Sequence, residues 1–423
     1  MVLPELKPEL LITTSTLPND EHDPEPRFVI DLAVGLSRHF DVCVLSPRTP
    51  GAAGVASYGG VEVRRYPYAP RNWEKLTYPG ATLERLRQAP IRWGLVPLLM
   101  AGLYRAIRQL LAERNFACVH THWLVPQAAV QSMIPGRMFT PYIGIAHGAD
   151  VHAMNGVLGS AMLRRAISGA AGVVGASYAL IATLRQRFPS EMAARPATVI
   201  GSGVDTEKFS PALRSIEGFV HGLSRPVILY VGRLSEKKGI QVLLTAMAME
   251  PLESLRASLV VIGAGPLEER LKELSKQLAL SNRVRFLPAC SHASLGLHMA
   301  AADVLCVPSV VATDGDQEGR PTVLVEAAAC GIPAIASDTG GIREWVEDGH
   351  NGLLVPQADP AALATALAGL LKQPEQILRM GRAAYHKAVQ MSWAAVADHY
   401  AEFTLSAIEQ ASRRKIVWRR DAQ

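Results

Sequence analysis

Two glutamates, Glu318 and Glu326, lie eight positions apart around the start of a predicted helix. The residue before Pro321 is steered away from helical geometry, so the sequence predicts that Glu318 lies on a loop and that a helix runs from Thr322 to Cys330. The first N–H groups of a helix have no internal partner and favour an anion. Glu326, one turn into the helix, can accept hydrogen bonds from two vicinal hydroxyl groups. The arrangement suits a nucleotide sugar; the alternative is a solvated loop acid and a helix-surface acid.

A pair of cations follows the first strand of the second half of the chain, VILYVG. Arg233 and Lys238 lie five positions apart where this strand turns into a helix, at the end of a parallel sheet where ligands bind. A planar guanidinium and a mobile ammonium group can clamp a diphosphate and stabilise the charge that builds on it as a leaving group. Lys237 could exchange roles with Lys238, and both cations could instead be exposed loop residues.

Histidines end two predicted strands of the first half. His147 ends YIGIAHG and precedes Gly148 and Asp150, which we interpret as a turn and a helix cap. His120 and His122, in HTHW, have no carboxylate or cysteine at metal-ligand spacing nearby, so we interpret them as cleft-wall or core residues.

Two further motifs resemble sites of other chemistry. VVIGAGPLEERL begins like a dinucleotide fingerprint, but Glu268 occupies the third glycine position, which favours a tight strand–helix turn. Asp314 and Asp316 have the spacing of an acidic metal pair. Their position directly before Glu318 favours a hydrated loop and an enzyme that needs no metal.

Composition indicates a folded protein with two domains. The chain has 423 residues, of which 49% are hydrophobic and 19% charged, and this excludes a disordered chain. We expect no signal peptide and no spanning helix, because the longest apolar run, Trp93 to Tyr104, is short and broken by Pro97. The five cysteines stand singly in apolar surroundings and predict reduced, buried thiols in a cytosolic protein. They are Cys43, Cys118, Cys290, Cys306 and Cys330.

Positive charge is concentrated between Arg64 and Arg114, where ten Lys or Arg residues stand against three acids. Aromatic residues are interleaved with these cations, which suits a surface that lies on anionic lipid. The alternative is an ordinary helix with a solvated basic face. Nucleic acid is disfavoured, because no recognised module accompanies the charge. A second basic cluster, around Trp418, closes the chain.

Short apolar runs alternate with helical stretches in both halves, which predicts parallel βαβ units and two doubly wound α/β domains. The glycine-containing segment GSGVDTEKFSP separates two periodic regions. We therefore expect a first domain over residues 1–208, a second over 209–391, and a terminal segment, 392–423, that carries a helix to about Tyr400.

The segment 314–356 resembles the signature of family 4 retaining glycosyltransferases, which is E-x7-E, an alanine-rich helix, a G-x-P turn and GG-x-x-E. The matching residues are Glu318, Gly319, Pro321, Glu326, Ala327, Gly331, Pro333, Gly340, Gly341, Glu344, Gly349, Gly352 and Pro356. The R-x4-K pair at Arg233 and the HG-x-D stretch at His147 also resemble family motifs. The resemblance implies a GT-B fold, with two facing Rossmann-like domains and a terminal helix that crosses back onto the first.

The resemblance also implies roles for individual residues. Glu318 and His147 would contact the donor sugar, Glu326 the ribose hydroxyls, and Arg233 with Lys238 the leaving diphosphate. The catalytic set would be His147, Arg233, Lys238 and Glu318. The donor-binding set would also include Gly232, Leu287, Gly319, Arg320, Thr322, Val323 and Glu326. No cofactor and no metal are implied, because the substrate itself is the nucleoside-diphosphate sugar.

The chain departs from the family pattern in the loop after its first strand, which lacks the usual glycine pair. We expect Asn19, Asp20 and Arg27, with Asp150, on the acceptor side. Arg320 also departs from the pattern. It could favour an acidic sugar or point to solvent.

The expected activity is transfer of a hexose, with retention, from a nucleoside-diphosphate sugar to a hydroxyl group, with UDP as the expected carrier and GDP as the alternative. The acceptor would be a lipid-linked or saccharide intermediate of cell-surface polysaccharide or glycolipid synthesis. The enzyme would be cytoplasmic, with a peripheral contact at the inner face of an anionic membrane. The alternatives are a sugar-nucleotide epimerase of the same architecture and a non-catalytic sugar-nucleotide-binding protein.

Overall fold

The computed structural model describes residues 7–20, 22, 23, 25–79, 82–138, 140–215, 223–313 and 315–421. The chain divides into two compact units, Met1–Gly201 with Trp393–Gln423, and Ser202–Ser392. The sequence instead placed the first boundary after residue 208 and made 392–423 a segment of its own. The linker belongs to the second unit because the Val204 amide donates to the Met391 carbonyl at 2.9 Å.

The first unit contains one mixed sheet. Its strands β1 to β8 are Glu9–Thr13, Asp41–Pro47, Val55–Tyr58, Val61–Tyr66, Phe116–His122, Tyr142–Ala146, Gly172–Gly175 and Ala197–Val199. Its helices α1 to α8 are Phe28–Leu36, Thr82–Gln88, Val96–Glu113, Ala129–Gln131, Ala149–His152, Val157–Gly169, Tyr178–Arg187 and Pro189–Ala193. The strand order is β3-β4-β2-β1-β5-β6-β7-β8, and every neighbouring pair except β3 with β4 is parallel.

The second unit contains a fully parallel sheet. Its strands β9 to β14 are Val227–Val231, Ser258–Ile262, Val284–Leu287, Val304–Val307, Ala334–Ser337 and Gly352–Val355. Its helices α9 to α15 are Ile240–Met247, Glu250–Ser254, Glu268–Gln277, His292–Ala301, Thr322–Ala329, Pro360–Leu371 and Pro374–Val389. The strand order β11-β10-β9-β12-β13-β14 is that of a doubly wound dinucleotide-binding fold.

Helices cover both faces of this second sheet. Alternate residues of β9 enter different hydrophobic clusters: Val227 and Leu229 pack into one, Ile228 and Tyr230 into the other. Successive strand side chains point to opposite faces, so two separate cores require two covered faces. The predicted pair of doubly wound α/β domains is confirmed in this respect.

The terminal helix, α16, spans Trp393–Asp421 and belongs to the first unit. It packs closely against α1, since a Cβ added to Gly35 would lie 2.9 Å from both the Trp393 carbonyl oxygen and Ala397 Cβ. The predicted return of a terminal helix to the first domain is therefore confirmed, although this helix runs well beyond Tyr400.

The stretch Pro90–Glu113 is long and apolar enough to cross a membrane, by length and composition only. The expectation that no segment reaches that length was therefore wrong. Its second part, α3, buries Leu99, Leu103 and Ile107 in the core of the first unit. A core helix passes the same test of length and composition, so this finding alone does not indicate a membrane span.

The cysteines carry free thiols, as expected. Cys43, Cys118, Cys306 and Cys330 are buried, and Cys290 is half-buried. Burial raises the pKa of Cys43 and of Cys118 to about 12, so these thiols remain protonated and unreactive at neutral pH.

Candidate functional site

The order of the second sheet reverses between β9 and β12, which are hydrogen-bonded neighbours. Ligands of open α/β sheets bind outside the carboxyl ends of the strands at such a point. The loop after β9 carries Gly232, Arg233 and Lys238, and the loop after β12 carries Glu318. Residues that are remote in sequence thus meet at the predicted ligand-binding edge.

Lys238 and Glu318 form an ion pair at this edge. The Lys238 Nζ lies 2.9 Å from Glu318 Oε1, and the Lys237 Nζ lies 3.8 Å from the same oxygen. Glu318 is buried, which opposes its ionisation, but the two ammonium groups outweigh burial and hold its pKa below the usual value. The edge of the second sheet therefore presents an ionised carboxylate with two cations beside it.

Close backbone approaches fix both loops. Gly239, directly after Lys238, has a φ of 64°, and a Cβ added there would lie 1.9 Å from the Pro308 carbonyl oxygen. Gly340 has a φ of 54°, and an added Cβ would lie 2.2 Å from the Glu318 carbonyl oxygen. Only glycine fits either position without moving the backbone that carries Lys238 or Glu318.

The motif that resembles a dinucleotide fingerprint has a packing role. A Cβ added to Gly263 would lie 2.0 Å from the Gly232 carbonyl oxygen, and one added to Gly265 would lie 2.5 Å from that of Leu234. These glycines let the turn after β10 pack against the turn after β9. The prediction of a tight strand–helix turn is confirmed, and this turn supports the loop that carries Arg233.

Helix α13 places the second glutamate. It begins at Thr322, with Pro321 as the N-cap residue, and ends at Ala329, one residue earlier than predicted. Glu326 is buried on this helix, and its Oε1 lies 3.5 Å from His292 Nε2 at the start of α12. A carboxylate one turn from the first-turn amides of Thr322 and Val323 can accept hydrogen bonds from hydroxyl groups while those amides face an anion.

The remaining donor-side residues lie on neighbouring elements. Leu287 ends β11, and its carbonyl accepts a hydrogen bond from the Gly263 amide at 3.1 Å. Gly319 and Arg320 connect Glu318 to α13. The Arg320 guanidinium lies over the Trp345 ring, with 5.8 Å between Cζ and the ring centroid. Arg320 is therefore half-buried on an aromatic face rather than directed wholly to solvent.

In the first unit, His147 directly follows β6, and Gly148 is the N-cap of α5 with a φ of 115°. Asp150 lies inside this helix and is not its cap, which corrects our interpretation. Its Oδ1 accepts hydrogen bonds from the His147 and Gly148 amides at 3.1 and 3.0 Å, and its Oδ2 accepts one from the Leu124 amide at 2.7 Å. Burial raises the pKa of Asp150 to about 6 although these amides oppose the change. Asp150 thus binds two loops together.

No sequence pattern indicated that His122 contacts His147. His122 Nδ1 lies 3.0 Å from His147 Nε2, and the two ring planes are nearly parallel, with an interplanar angle of 17° and 5.2 Å between the ring centroids. The rings of Trp123 and Phe28 lie 4.8 and 5.1 Å from that of His147. Burial lowers the pKa of His147 to about 3 and holds the pKa of His122 well below its usual value, so both rings are neutral at pH 7. His120 contacts α16 instead, with its Nε2 2.8 Å from Thr404 Oγ1.

The candidate acceptor residues follow β1, beside the point where the order of the first sheet reverses between β1 and β5. The Asn19 side chain bonds within the fold, to the Pro50 carbonyl at 3.0 Å and the Thr49 hydroxyl at 2.6 Å. Asp20 accepts a hydrogen bond from the His22 amide at 2.8 Å. Arg27 lies 3.4 Å from Asp31, one turn along α1. Asp20 is the most exposed of the three predicted residues.

The acidic pair before Glu318 differs from the expected hydrated loop. Asp316 is buried rather than hydrated because it pairs with a cation of the loop after β9: its Oδ1 lies 3.3 Å from Lys237 Nζ. Asp314 lies outside the described residues. Within the part of the chain that the structure describes, no group of three His, Cys, Asp or Glu side chains is arranged to hold a metal ion.

Only part of the basic stretch 64–114 lies on the surface of the first unit. Arg65 is buried, and Arg64 and Arg114 pair with acids of the first unit. Large apolar side chains beside the other cations are exposed: Ile91 by 91%, Trp73 by 61% and Trp93 by 51%.

Comparison with known proteins identifies the family. Residues 215–387 match the family described as Glycosyl transferases group 1, and residues 26–208 match Glycosyltransferase Family 4. The chain is 30% identical over 321 residues to D-inositol 3-phosphate glycosyltransferase 1 of Catenulispora acidiphila, covering 71% of this chain and 74% of that protein. The chain belongs to family 4 of the glycosyltransferases.

A second relative is matched over a shorter region. The chain is 35% identical over 251 residues to D-inositol 3-phosphate glycosyltransferase of Streptomyces bingchenggensis, with 54% of each chain covered. The chain thus spans about half the length of this curated relative, and of two others.

Solved structures show the same fold. Sucrose-phosphate synthase from Thermosynechococcus elongatus superposes with a TM-score of 0.78 at 22% identity, covering 96% of this chain and all of that one. HepE from Anabaena, in complex with UDP and glucose, superposes with a TM-score of 0.71 at 19% identity, covering 94% and 99%. The architecture is the GT-B fold.

Proposed function

We propose that the protein is a retaining glycosyltransferase that transfers a hexose from a nucleoside-diphosphate sugar to an acceptor hydroxyl group. The observation that carries this proposal is the Lys238–Glu318 ion pair at the switch point of the second sheet, with Glu326 on the helix that follows. The cations supply charge for a diphosphate, and the two carboxylates supply acceptors for sugar and ribose hydroxyls. UDP is the preferred carrier in this proposal. A relative named GDP-mannose-dependent makes GDP the second to test.

In the proposed reaction the acceptor oxygen forms a bond to the anomeric carbon as the bond from that carbon to the diphosphate oxygen breaks. The hydroxyl proton passes to the leaving phosphate on the same face of the sugar, so configuration is retained. Arg233 and Lys238 stabilise the charge that develops on the diphosphate, and His147 contacts the donor sugar. The protein supplies positioning and electrostatics, and the proposal includes no metal.

We further propose that the acceptor is a lipid-linked or saccharide intermediate. Relatives named for inositol phosphate and phosphatidylinositol monomannoside support a polar, phosphorylated acceptor class. The test combines UDP- and GDP-hexoses with such acceptors and follows product by mass spectrometry. A glycosylated acceptor supports the proposal. A changed free sugar without acceptor would indicate an epimerase, and tight binding without any product would indicate a binding protein.

A peripheral, cytoplasmic location at an anionic membrane is part of the proposal. The exposed Ile91 and Trp93 flank Arg92, whose guanidinium donates to the Arg85 carbonyl at 3.1 Å. Arg85 in turn donates to the Lys75 carbonyl at 2.6 Å, two residues from the exposed Trp73. Cations and large apolar side chains therefore share one contiguous part of the first unit, as in surfaces that bind anionic lipid.

A flotation assay tests this membrane contact. Vesicles rich in phosphatidylserine should carry the protein upward at low salt, and Ile91→Asp should abolish this. Leu378→Asp is the matched control, because Leu378 is a 53% exposed aliphatic residue of the second unit. Failure of the wild type to float, or equal loss in both variants, would contradict the contact.

A further inference from the structure

His122 is the nearest titratable neighbour of His147 and has no role in the reaction proposed above. His122 ends β5 and His147 directly follows β6. These strands are parallel neighbours, and His122 is opposite Ile145. Their ring nitrogens, His122 Nδ1 and His147 Nε2, are 3.0 Å apart. One of the two rings must donate a hydrogen bond to the other at this distance.

The unpartnered nitrogen decides which ring donates. His122 Nε2 is buried and has no hydrogen-bond partner among the described residues. A proton on that nitrogen would bury an N–H donor without an acceptor, and orphan buried N–H groups are rarer than under-satisfied acceptors. The His122 proton therefore belongs on Nδ1, where it is donated to His147 Nε2. Because the His147 ring is neutral, its own proton must then be on Nδ1.

The backbone holds both rings in this relation. In the amide orientation that satisfies both of its groups, Gln127 donates to the His122 carbonyl at 3.2 Å and accepts from the Ser15 amide at 2.9 Å. The Trp123 amide donates to the Ile145 carbonyl at 2.9 Å, and Asp150 holds the His147 amide. The backbone beside each imidazole is therefore hydrogen-bonded to neighbouring elements of the first unit.

We propose that His122 is a positioning residue that fixes the tautomer and orientation of His147. By occupying His147 Nε2, it leaves Nδ1–H as the donor that His147 presents to an acceptor atom of the bound sugar. The consequence for catalysis rests on the proposed function, whereas the tautomer itself does not. The tautomer of a histidine is commonly set by the hydrogen bond that its other nitrogen makes.

Asparagine and leucine variants at position 122 distinguish the loss of the hydrogen-bond donor from the loss of side-chain volume. His122→Asn places an amide nitrogen near the position of Nδ1 and retains a donor, whereas His122→Leu fills similar space without one. His120→Leu is the matched control. His120 lies on the same strand and is equally buried, but it bonds Thr404 and not His147.

The first measurement uses full-length protein with ¹⁵N-labelled histidine, in which the His147 signals are assigned by their loss in His147→Gln. We expect the His147 proton on Nδ1 in the wild type and in His122→Asn, and a mixture of tautomers in His122→Leu. A proton on Nε2 in the wild type, or an unchanged His147 spectrum in His122→Leu, would overturn the inference. This readout needs no substrate, so it stands even if no donor is turned over.

The second measurement uses turnover. We expect His122→Leu to lower kcat about tenfold to a hundredfold with little change in the donor KM, and His122→Asn to recover most of that loss. Equal losses of kcat and of Tm in His122→Leu and His120→Leu would mean that the pair only stabilises the fold, and would overturn the positioning role.

Discussion

Replacing Lys238 with methionine should destabilise the second unit through Glu318. The wild-type Lys238 Nζ lies 2.9 Å from Glu318 Oε1, and both groups are largely removed from water. Removing one partner of a buried ion pair costs about 3–5 kcal/mol when the other charge is left alone. Here Lys237 remains 3.8 Å from the same oxygen, although it also lies 3.3 Å from Asp316. Because Lys237 still compensates part of the Glu318 charge, we take half of this cost and expect the free energy of unfolding to fall by about 2 kcal/mol.

A loss of this size is measurable by thermal unfolding. For a unit of the size of Ser202–Ser392, about 2 kcal/mol corresponds to a fall in Tm of roughly 4–8 °C. The difference in stability between the wild type and Lys238→Met should shrink as the pH falls below about 4, near the pKa of an unfolded glutamate. The Glu318 pKa is held below its usual value in the folded state, so its contribution is present above the unfolded pKa and disappears as the folded carboxylate takes up a proton.

A double-mutant cycle with Glu318→Gln isolates the pair. In the Glu318→Gln background Lys238→Met should cost little, because no buried carboxylate is left unpaired. Lys237→Met is the control and should couple more weakly to Glu318 because of its longer distance. An equal fall in Tm on Lys238→Met in both backgrounds would show that the ion pair with Glu318 is not the cause of the lost stability.

Three other perturbations have defined outcomes. Arg233→Ala should lower kcat far more than it weakens binding of the nucleoside moiety, and equal losses in steady-state kinetics and in titration calorimetry would contradict a leaving-group role. Gly340→Ala should lower Tm more than Gly349→Ala: both glycines have a positive φ, but only at Gly340 would the new Cβ meet the Glu318 carbonyl oxygen. Equal Tm values for the two variants would refute this prediction. Stability should fall between pH 7 and pH 5, because burial lowers the pKa of His120 to about 3 and the unfolded chain binds a proton that the folded chain does not. At pH 5 the protonation of His120 in the unfolded chain lowers the free energy of unfolding by about 2 kcal/mol. His120→Leu should remove that part of the pH dependence, and an unchanged slope of stability against pH in this variant would contradict the prediction.

The sequence predicted those parts of the site that local rules govern. The proline before α13 and the glycine after it define that helix within one residue, and the apolar runs before Gly232 and His147 define strands β9 and β6. Such features depend on backbone preferences of a few neighbouring residues, so they can be inferred without tertiary structure.

Other features depend on which strands become neighbours. His122 meets His147 only because β5 pairs with β6, and nothing in HTHW specifies that pairing. Asp316 looked like a hydrated loop residue because its partner, Lys237, lies 79 positions away in sequence. The Asn19 side chain joins the loop after β1 to the loop after β2, and neither of its partners could be predicted from the sequence. Long-range pairing of this kind has no local sequence signal.

In the proposed function, the second unit binds a sugar nucleotide through Glu326 and its neighbours. A thermal-shift panel of UDP, GDP, ADP and NAD tests it directly, because a ligand at 100 times its dissociation constant stabilises the folded state by about 2.7 kcal/mol. We predict a shift with UDP or GDP that is lost in Glu326→Ala, and no shift with NAD. A shift with NAD alone, a shift with none of the four, or an undiminished nucleoside-diphosphate shift in Glu326→Ala would contradict binding of a sugar nucleotide at Glu326.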